Sequence, residues 1–180
     1  MSDLLTQIRL HQGPAVGLAA TGAIHLLLGE AIAAASTLAE LPSLTGEALE
    51  DGAGFAVSKA GDFDGDGHGD VLVGAPGYDG AAERTGCVYL VLGSGVPASD
   101  TLANALRFAP PGRDDTVGMR VDGGVDLDVD GFDDTLIGAD GVDAGGPAAG
   151  VTFVVYGGPD PGPVELENVA TLWGTGDHEK

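Results

Sequence analysis

The segment Asp62-Phe-Asp-Gly-Asp-Gly-His-Gly-Asp70 is the strongest indication of the architecture, because its pattern occurs twice in the chain. The aspartates return in Asp126-Leu-Asp-Val-Asp-Gly-Phe-Asp-Asp134, 64 residues later (126 − 62). A short apolar run and a glycine follow each copy, Val71-Leu-Val-Gly74 in one and Thr135-Leu-Ile-Gly138 in the other. Self-similarity at a fixed period is typical of repeat architectures. We therefore take 64 residues as one structural unit, and we call 62–70 the first loop and 126–134 the second loop.

An apolar run obeys the same period and occurs three times. Gly86-Cys-Val-Tyr-Leu-Val-Leu-Gly93 matches Gly150-Val-Thr-Phe-Val-Val-Tyr-Gly157 and, in the other direction, Gly22-Ala-Ile-His-Leu-Leu-Leu-Gly29. Residues 14–41 are apolar and alanine-rich, and could pass for a signal-peptide core or a membrane span. Because one copy of the run lies inside this segment, we interpret the segment as part of a repeat.

One repeat predicts four short strands, at residues 54–59, 70–75, 87–92 and 102–108 in the best-preserved copy. Antiparallel four-stranded units at a fixed period are typical of β-propeller blades, whereas solenoid repeats are usually shorter. The sequence therefore predicts an all-β protein with about two complete blades and one incomplete blade. A closed propeller typically needs four to eight blades, so this chain is not expected to close one alone.

The period divides the chain into four segments. Residues 1–12 are an N-terminal segment that could hold a degenerate strand, and residues 13–48 are an incomplete first blade. Residues 49–112 and 113–180 are a second and a third blade, each with one acidic loop. Such a chain is either part of a longer propeller or a protomer that completes a ring or an array with other copies.

The two acidic loops are candidate calcium sites of the form D-x-D-x-D-G-x-x-D. Positions 1, 3, 5 and 9 carry carboxylates and position 7 can offer its backbone carbonyl, which supplies the oxygen ligands that Ca²⁺ prefers. Four carboxylates in one tight loop repel one another when no cation is present. The expected ligands of two Ca²⁺ ions are Asp62, Asp64, Asp66, His68 (carbonyl) and Asp70 in the first loop, and Asp126, Asp128, Asp130, Phe132 (carbonyl) and Asp134 in the second.

Other interpretations of the loops fit less well. An EF-hand needs a bidentate glutamate at position 12, where this chain has Val73 and Ile137. The imidazole of His68 is not expected to bind, because a hard oxygen site does not favour nitrogen. The remaining alternative is an acidic turn without an ion. One such loop already favours calcium over it, and two in register favour calcium more strongly. Asp133, beside the second ligand set, is expected to be exposed.

Composition excludes several classes of function. The net charge of −21 with only seven lysines and arginines argues against a nucleic-acid partner, and part of the acid is expected to form a solvated surface. The single cysteine, Cys87, excludes an internal disulfide and is expected to be a small buried hydrophobe. The chain has no G-x-S-x-G elbow, no Cys/His pair at plausible spacing and no phosphate-binding loop, so we do not expect an enzyme.

The segment from Phe55 through Gly61-Asp-Phe-Asp-Gly-Asp-Gly-His-Gly-Asp-Val-Leu-Val-Gly-Ala-Pro76 resembles an FG-GAP repeat, the unit of the integrin α-subunit propeller. The resemblance extends over residues 13–173. It is weaker in the second copy: the family's Phe-Gly is Phe55-Ala56 in one copy and Met119-Arg120 in the other, and Gly-Ala-Pro becomes Gly138-Ala139-Asp140.

The resemblance implies a secreted or cell-surface propeller that is stabilised by calcium and used in adhesion or protein recognition. We therefore expect a non-catalytic extracellular module whose partners are proteins or glycans, without nucleic acid and without membrane insertion. Two alternatives remain open. The chain could be a self-assembling structural protein whose incomplete blades associate head to tail, or an accessory part of a larger enzyme.

Overall fold

The computed structural model describes residues 9–10, 22–25, 43–80, 84–95, 99–110, 116–142, 149–162, 164–166 and 169–174. The predicted all-β class is confirmed, since these residues form strands and turns with only short 3-10 segments. Of the predicted N-terminal segment only residues 9–10 are described, and most of the predicted first blade lies outside the described residues. The boundaries of the four predicted segments stay a prediction.

Thirteen strands lie in the described part of the chain. They are β1 (Arg9–Leu10), β2 (Ala23–His25), β3 (Ser43–Thr45), β4 (Ala56–Gly61), β5 (Asp70–Ala75), β6 (Cys87–Val91), β7 (Ser99–Thr101), β8 (Leu106–Ala109), β9 (Val117–Val125), β10 (Asp134–Ala139), β11 (Val151–Val155), β12 (Val164–Glu165) and β13 (Ala170–Trp173).

The strands form three separate sheets with the order expected of propeller blades. The first sheet is β1-β2-β3-β7, the second is β4-β5-β6-β8-β12, and the third is β9-β10-β11-β13. Each acidic loop joins the first two strands of its sheet, β4 to β5 and β9 to β10. The strand predicted at 102–108 starts later, at Leu106, because residues 102–104 form a 3-10 turn capped by the Thr101 side chain.

Two short strands lie outside the antiparallel pattern that the sequence predicts. β7 pairs in parallel with β3, and β12 pairs in parallel with β8. Each precedes the last strand of its own repeat yet extends the outer edge of the preceding sheet. The unpaired backbone groups of an edge strand favour such an addition. Strands of three and two residues have no hydrophobic alternation, so no sequence pattern marks them.

The core has two layers, because neighbouring strand residues point to opposite faces of a sheet and β5 and β6 are buried on both faces. One layer lies between the first and second sheets and contains Ile24 and Tyr89. The other lies between the second and third sheets and contains Phe63, Phe108 and Ile137. Cys87 belongs to the first layer, where burial raises the pKa of its thiol to about 12. The prediction that Cys87 is a small buried hydrophobe is confirmed.

The second and third sheets approach so closely that their backbones touch. A Cβ atom at Gly74, in β5, would overlap the carbonyl oxygen of Gly118, in β9. The equivalent residue one repeat later, Gly138, faces the other side of the third sheet, where the nearest atom to a new Cβ is the Arg120 Cβ at 3.3 Å. The same position in the repeat therefore has a strict steric limit in β5 and a mild one in β10.

We expect Gly74→Ala to lower the free energy of unfolding by about 2 kcal/mol or more, because the added methyl group forces two backbones apart. Gly138→Ala is the matched control and should change it by less than about 1 kcal/mol, since the nearest atom, the Arg120 Cβ, lies 3.3 Å from the new methyl group and must shift by only a few tenths of an ångström. Urea denaturation of both variants in the same calcium concentration measures the difference. Equal losses in the two variants would contradict close backbone packing of the sheets.

Candidate metal centres

Each acidic loop gathers three carboxylates around one point. Asp62, Asp64 and Asp66 each offer a carboxylate oxygen, and the three oxygens lie within 4.8 Å of one another. Asp126, Asp128 and Asp130 do the same in the second loop. The structure therefore brings together three of the four predicted side-chain ligands in each loop.

Backbone N–H groups that point into each loop hold it in a curl. In the first loop, the N–H of Gly67 donates to Asp62 Oδ2 at 3.1 Å and the N–H of Asp66 to Asp64 Oδ1 at 3.1 Å. In the second, the N–H of Gly131 donates to Asp126 Oδ2 at 3.0 Å. The two glycines have φ angles of +87° and +98°, a region that favours glycine. The glycine at position 6 thus allows the chain to turn around an ion.

The fourth predicted ligands, Asp70 and Asp134, follow these clusters in the sequence and also accept backbone hydrogen bonds. Both are buried. Asp70 accepts the N–H groups of Phe63 and Gly93, both at 2.8 Å, and Asp134 accepts those of Leu127 at 2.7 Å and Gly157 at 2.9 Å. Each ninth aspartate therefore ties its loop to the end of the third strand. Because a carboxylate has about four lone-pair sites, these bonds leave sites for a cation.

The electrostatics of the loops match the chemistry of a cation site. Burial raises the pKa of Asp70 to about 6, against the opposing effect of its two N–H donors. The pKa of Asp128 is also raised, first by desolvation and then by the neighbouring carboxylates of Asp130 and Asp134. The pKa of Asp66 is lowered, because the Ser94 side chain and the His68 N–H donate to it. A bound cation would favour the charged form of the raised groups.

The side chains at position 7 differ between the two loops. The His68 side chain is exposed, with Nδ1 at 3.1 Å from Asp66 Oδ1. The Phe132 ring packs against the first loop, where a Cβ atom at Gly65 would overlap it. Binding through the carbonyls of these two residues stays a prediction.

The expectation that Asp133 is merely exposed is wrong. Its side chain is half-buried. Its Oδ2 accepts the N–H of Asp62 at 2.9 Å, and its own N–H donates to the Asp62 carbonyl at 3.2 Å. The only sequence signal is a departure from the repeat, since the equivalent residue of the first loop is Gly69. An alignment of the two repeats shows this difference, but it does not show that Asp133 of one repeat contacts Asp62 of the other.

The donor sets fit Ca²⁺, because they contain only oxygen and include several carboxylates. Within the described ranges, these are the two groups of three or more acidic, histidine or cysteine side chains that lie close enough to share an ion. A separate finding concerns membranes: the described residues contain no helix long and apolar enough to cross one.

Comparison with known proteins agrees with the fold and the loop pattern. The FG-GAP repeat model matches residues 53–91, which include the first loop. Integrin alpha-5 of Xenopus laevis is 34% identical over 92 residues, 50% of this chain and 9% of that protein. Integrin alpha ina-1 of Caenorhabditis elegans is 38% identical over 96 residues, which are 48% of this chain and 8% of that protein. Integrin alpha-PS2 of Drosophila melanogaster is 39% identical over 92 residues, which are 48% of this chain and 6% of that protein. The resemblance inferred from the sequence is confirmed, and the match spans less than a tenth of each relative.

The second loop contains a strained residue that the first loop avoids. Val129 has a φ of +65°, and the equivalent residue is Gly65, with a φ of +75°. A left-handed conformation costs an L-residue roughly 1–2 kcal/mol, and for a β-branched residue it is a marked outlier. Because the Val129 side chain is exposed, it has little packing to offset this cost.

We expect Val129→Gly to raise the free energy of unfolding by up to about 1 kcal/mol, the strain released minus the larger entropy that glycine loses on folding. Val125→Gly is the control, because Val125 is also exposed but lies in β9 without a left-handed φ, and it should lower that free energy. Urea denaturation in chelator compares the two. A loss of stability in both variants would count against strain at Val129.

Proposed function

Because the chain is an FG-GAP repeat protein similar to integrin α-subunits, we propose that it is a calcium-binding, non-catalytic module for adhesion or protein recognition outside the cell. One observation carries the proposal. Three carboxylate oxygens converge in each of two loops that occupy the same place in consecutive blades. A solvated acidic surface would not repeat this convergence at a fixed period.

Calcium would act in these loops as a structural ion. Its ligands would be Asp62, Asp64, Asp66, the His68 carbonyl and Asp70 in the first loop, and Asp126, Asp128, Asp130, the Phe132 carbonyl and Asp134 in the second. The bound cation would supply positive charge that offsets the repulsion among carboxylates. The loops would then hold the first two strands of each blade together at one end.

A non-catalytic role is supported by the surroundings of the reactive groups. The aspartates of the loops accept backbone N–H groups of their own loops, and these hydrogen bonds stabilise the loop conformation. Cys87 is buried, and its raised pKa keeps the thiol protonated near neutral pH. These observations favour recognition over chemistry.

An extracellular location and a protein or glycan partner are the finer parts of this proposal. The integrin relatives support them by name alone, and the chain matches less than a tenth of their length. Calcium sites of extracellular modules often bind at roughly 10⁻⁴–10⁻³ M. The abundant calcium outside cells would fill loops of that affinity.

The calcium proposal predicts effects of opposite sign with and without the ion. In Asp64→Asn with Asp128→Asn, each new amide oxygen can still accept the N–H that the carboxylate accepts now, from Asp66 and Asp130. The change removes one negative charge from each loop. In chelator we therefore expect a higher melting temperature than in the wild type, and in millimolar calcium a lower one.

Thermal melting and calorimetric titration measure both effects, and calcium affinity should fall by about tenfold or more because it depends on ligand charge. Asp79→Asn is the matched control, since Asp79 accepts the Arg84 N–H at 2.7 Å outside the loops. It should leave the response to calcium unchanged. If calcium does not raise the melting temperature of the wild type, the proposed function is wrong.

A second candidate, self-association, is favoured by one apolar face. Phe63 and Phe108 are buried between the second and third sheets, with ring centroids 6.2 Å apart. The equivalent residues one repeat later, Leu127 and Leu172, are 50% and 63% exposed on the opposite face of the third sheet. On this face, Leu127 and Leu172 occupy the repeat positions that Phe63 and Phe108 occupy in the contact between the second and third sheets. We propose that it packs against a second copy of the chain.

Light scattering in millimolar calcium and at moderate salt should then give a multiple of 17.8 kDa for the wild type. Leu127→Lys with Leu172→Lys should give the monomer mass, because charge on both positions prevents their burial. Val129→Lys, on another exposed apolar residue, is the control and should keep the larger mass. A wild type at monomer mass would reject self-association and leave the calcium proposal standing.

A further inference from the structure

We propose that the two calcium loops are coupled, so that calcium in the second loop tightens binding in the first, with Asp133 as the positioning residue. This inference rests on the proposed calcium function and goes beyond it. It concerns how one loop acts on the other, and it is carried by contacts between two different blades.

The direct contact joins Asp133 to the first expected ligand of the first loop. Asp133 Oδ2 accepts the Asp62 N–H at 2.9 Å, and the Asp133 N–H donates to the Asp62 carbonyl at 3.2 Å. Asp133 lies between Phe132 and Asp134, both expected ligands in the second loop. An ion held by these two neighbours fixes the backbone on both sides of Asp133. It thereby fixes the group that holds Asp62.

A second path joins the ninth aspartates of the two loops. Asp134 Oδ1 accepts the Gly157 N–H at 2.9 Å, and the next N–H, of Gly158, donates to the Phe63 carbonyl at 2.9 Å. The Phe63 N–H in turn donates to Asp70 Oδ2 at 2.8 Å. Since the Phe132 ring also packs on Gly65, groups of the third blade hold the first loop at three positions, Asp62, Phe63 and Gly65.

The sequence departs from its own repeat at Asp133 and at Gly61, the residue before its partner Asp62. Gly61 has a φ of +78°, and a Cβ atom there would overlap the Asp133 carboxylate. One repeat later the residue is Val125, which is exposed. In the other direction, the equivalent of Asp133 is Gly69, where a Cβ would meet no atom within 4 Å. Gly61 and Asp133 thus occur only in the copies of the repeat where the first loop contacts the second loop.

Two effects of opposite sign would act between the loops. Shared contacts make the coupling positive, because one ion orders backbone that the other site needs. Charge makes it negative, because a cation in one loop weakens the attraction that the acidic loops exert on the next cation. Salt screens the second effect with a Debye length of about 8 Å at 0.15 M, and leaves the contacts in place. We therefore expect net positive coupling at 0.15 M salt and above, with a factor of about five or more.

The experiment follows calcium binding in each loop separately by ¹H–¹⁵N NMR of the full chain. The N–H groups of Gly67 and Gly131 are the reporters, since each donates to the first aspartate of its own loop. Asp128→Asn with Asp130→Asn disables the second loop while keeping an oxygen acceptor at each position. We expect this pair of substitutions to weaken first-loop binding about fivefold or more.

Asp133 is tested by repeating the comparison in two backgrounds. In Asp133→Ala, disabling the second loop should change first-loop affinity by less than about twofold, because the side-chain bond to the Asp62 N–H is gone and the remaining backbone bond and second path are expected to contribute the smaller part of the coupling. In Asp133→Asn, an amide oxygen still accepts the Asp62 N–H, and the fivefold effect should return. If the effect stays in the alanine variant, or is lost equally in both variants, the assigned role of Asp133 is wrong.

Reciprocity gives a test that leaves position 133 unchanged. Disabling the first loop with Asp64→Asn and Asp66→Asn should weaken the second loop by the same factor, as linkage requires. If Gly67 and Gly131 report two independent affinities in the otherwise wild-type chain, the coupling is wrong and the calcium function stands. If neither reporter moves in millimolar calcium, the calcium function fails and the coupling with it.

Discussion

The second and third sheets pack face to face so closely that β5 and β9 touch at Gly74 and Gly118. This approach buries the aromatic pair Phe63 and Phe108, and it also brings the two acidic loops into contact. Glycine is needed at the backbone contact because any side chain would separate the sheets. The layered core and the hydrogen bond between Asp62 and Asp133 both depend on that distance.

Much of the fold could be predicted from the sequence, because its strongest signals are local. The apolar runs around Val73 and Leu90 are buried on both sides, as strands between two layers must be, and the loop pattern fixes where β4 and β9 end. β7 and β12 could not be predicted, since they are short and pair with the edge of another repeat. The pairing depends on free backbone groups, which every residue type except proline provides.

The candidate site shows the same division between local and non-local information. Spacing alone identified the three converging aspartates of each loop, because a tight turn brings alternate residues to one point. It did not identify the hydrogen bonds of Asp70 and Asp134 to strand ends 23 residues away, nor the bond between Asp133 and Asp62. Which backbone N–H groups these carboxylates accept depends on the packing of segments that are distant in the sequence. A carboxylate in such a loop can bind a cation and accept a hydrogen bond that stabilises the fold, and the sequence pattern indicates the first role more clearly than the second.

The parallel pairs at the outer edges, β3 with β7 and β8 with β12, have a consequence for how such chains can be duplicated or cut. The first and second sheets each receive their outermost strand from the repeat that follows, so the 64-residue unit in the sequence and the finished blade do not coincide. Deleting one 64-residue module between corresponding positions would leave the preceding blade to recruit a substitute edge from whatever follows. A change in module number is therefore tolerated only where the incoming module offers a compatible edge, which ties neighbouring copies to one another as they diverge.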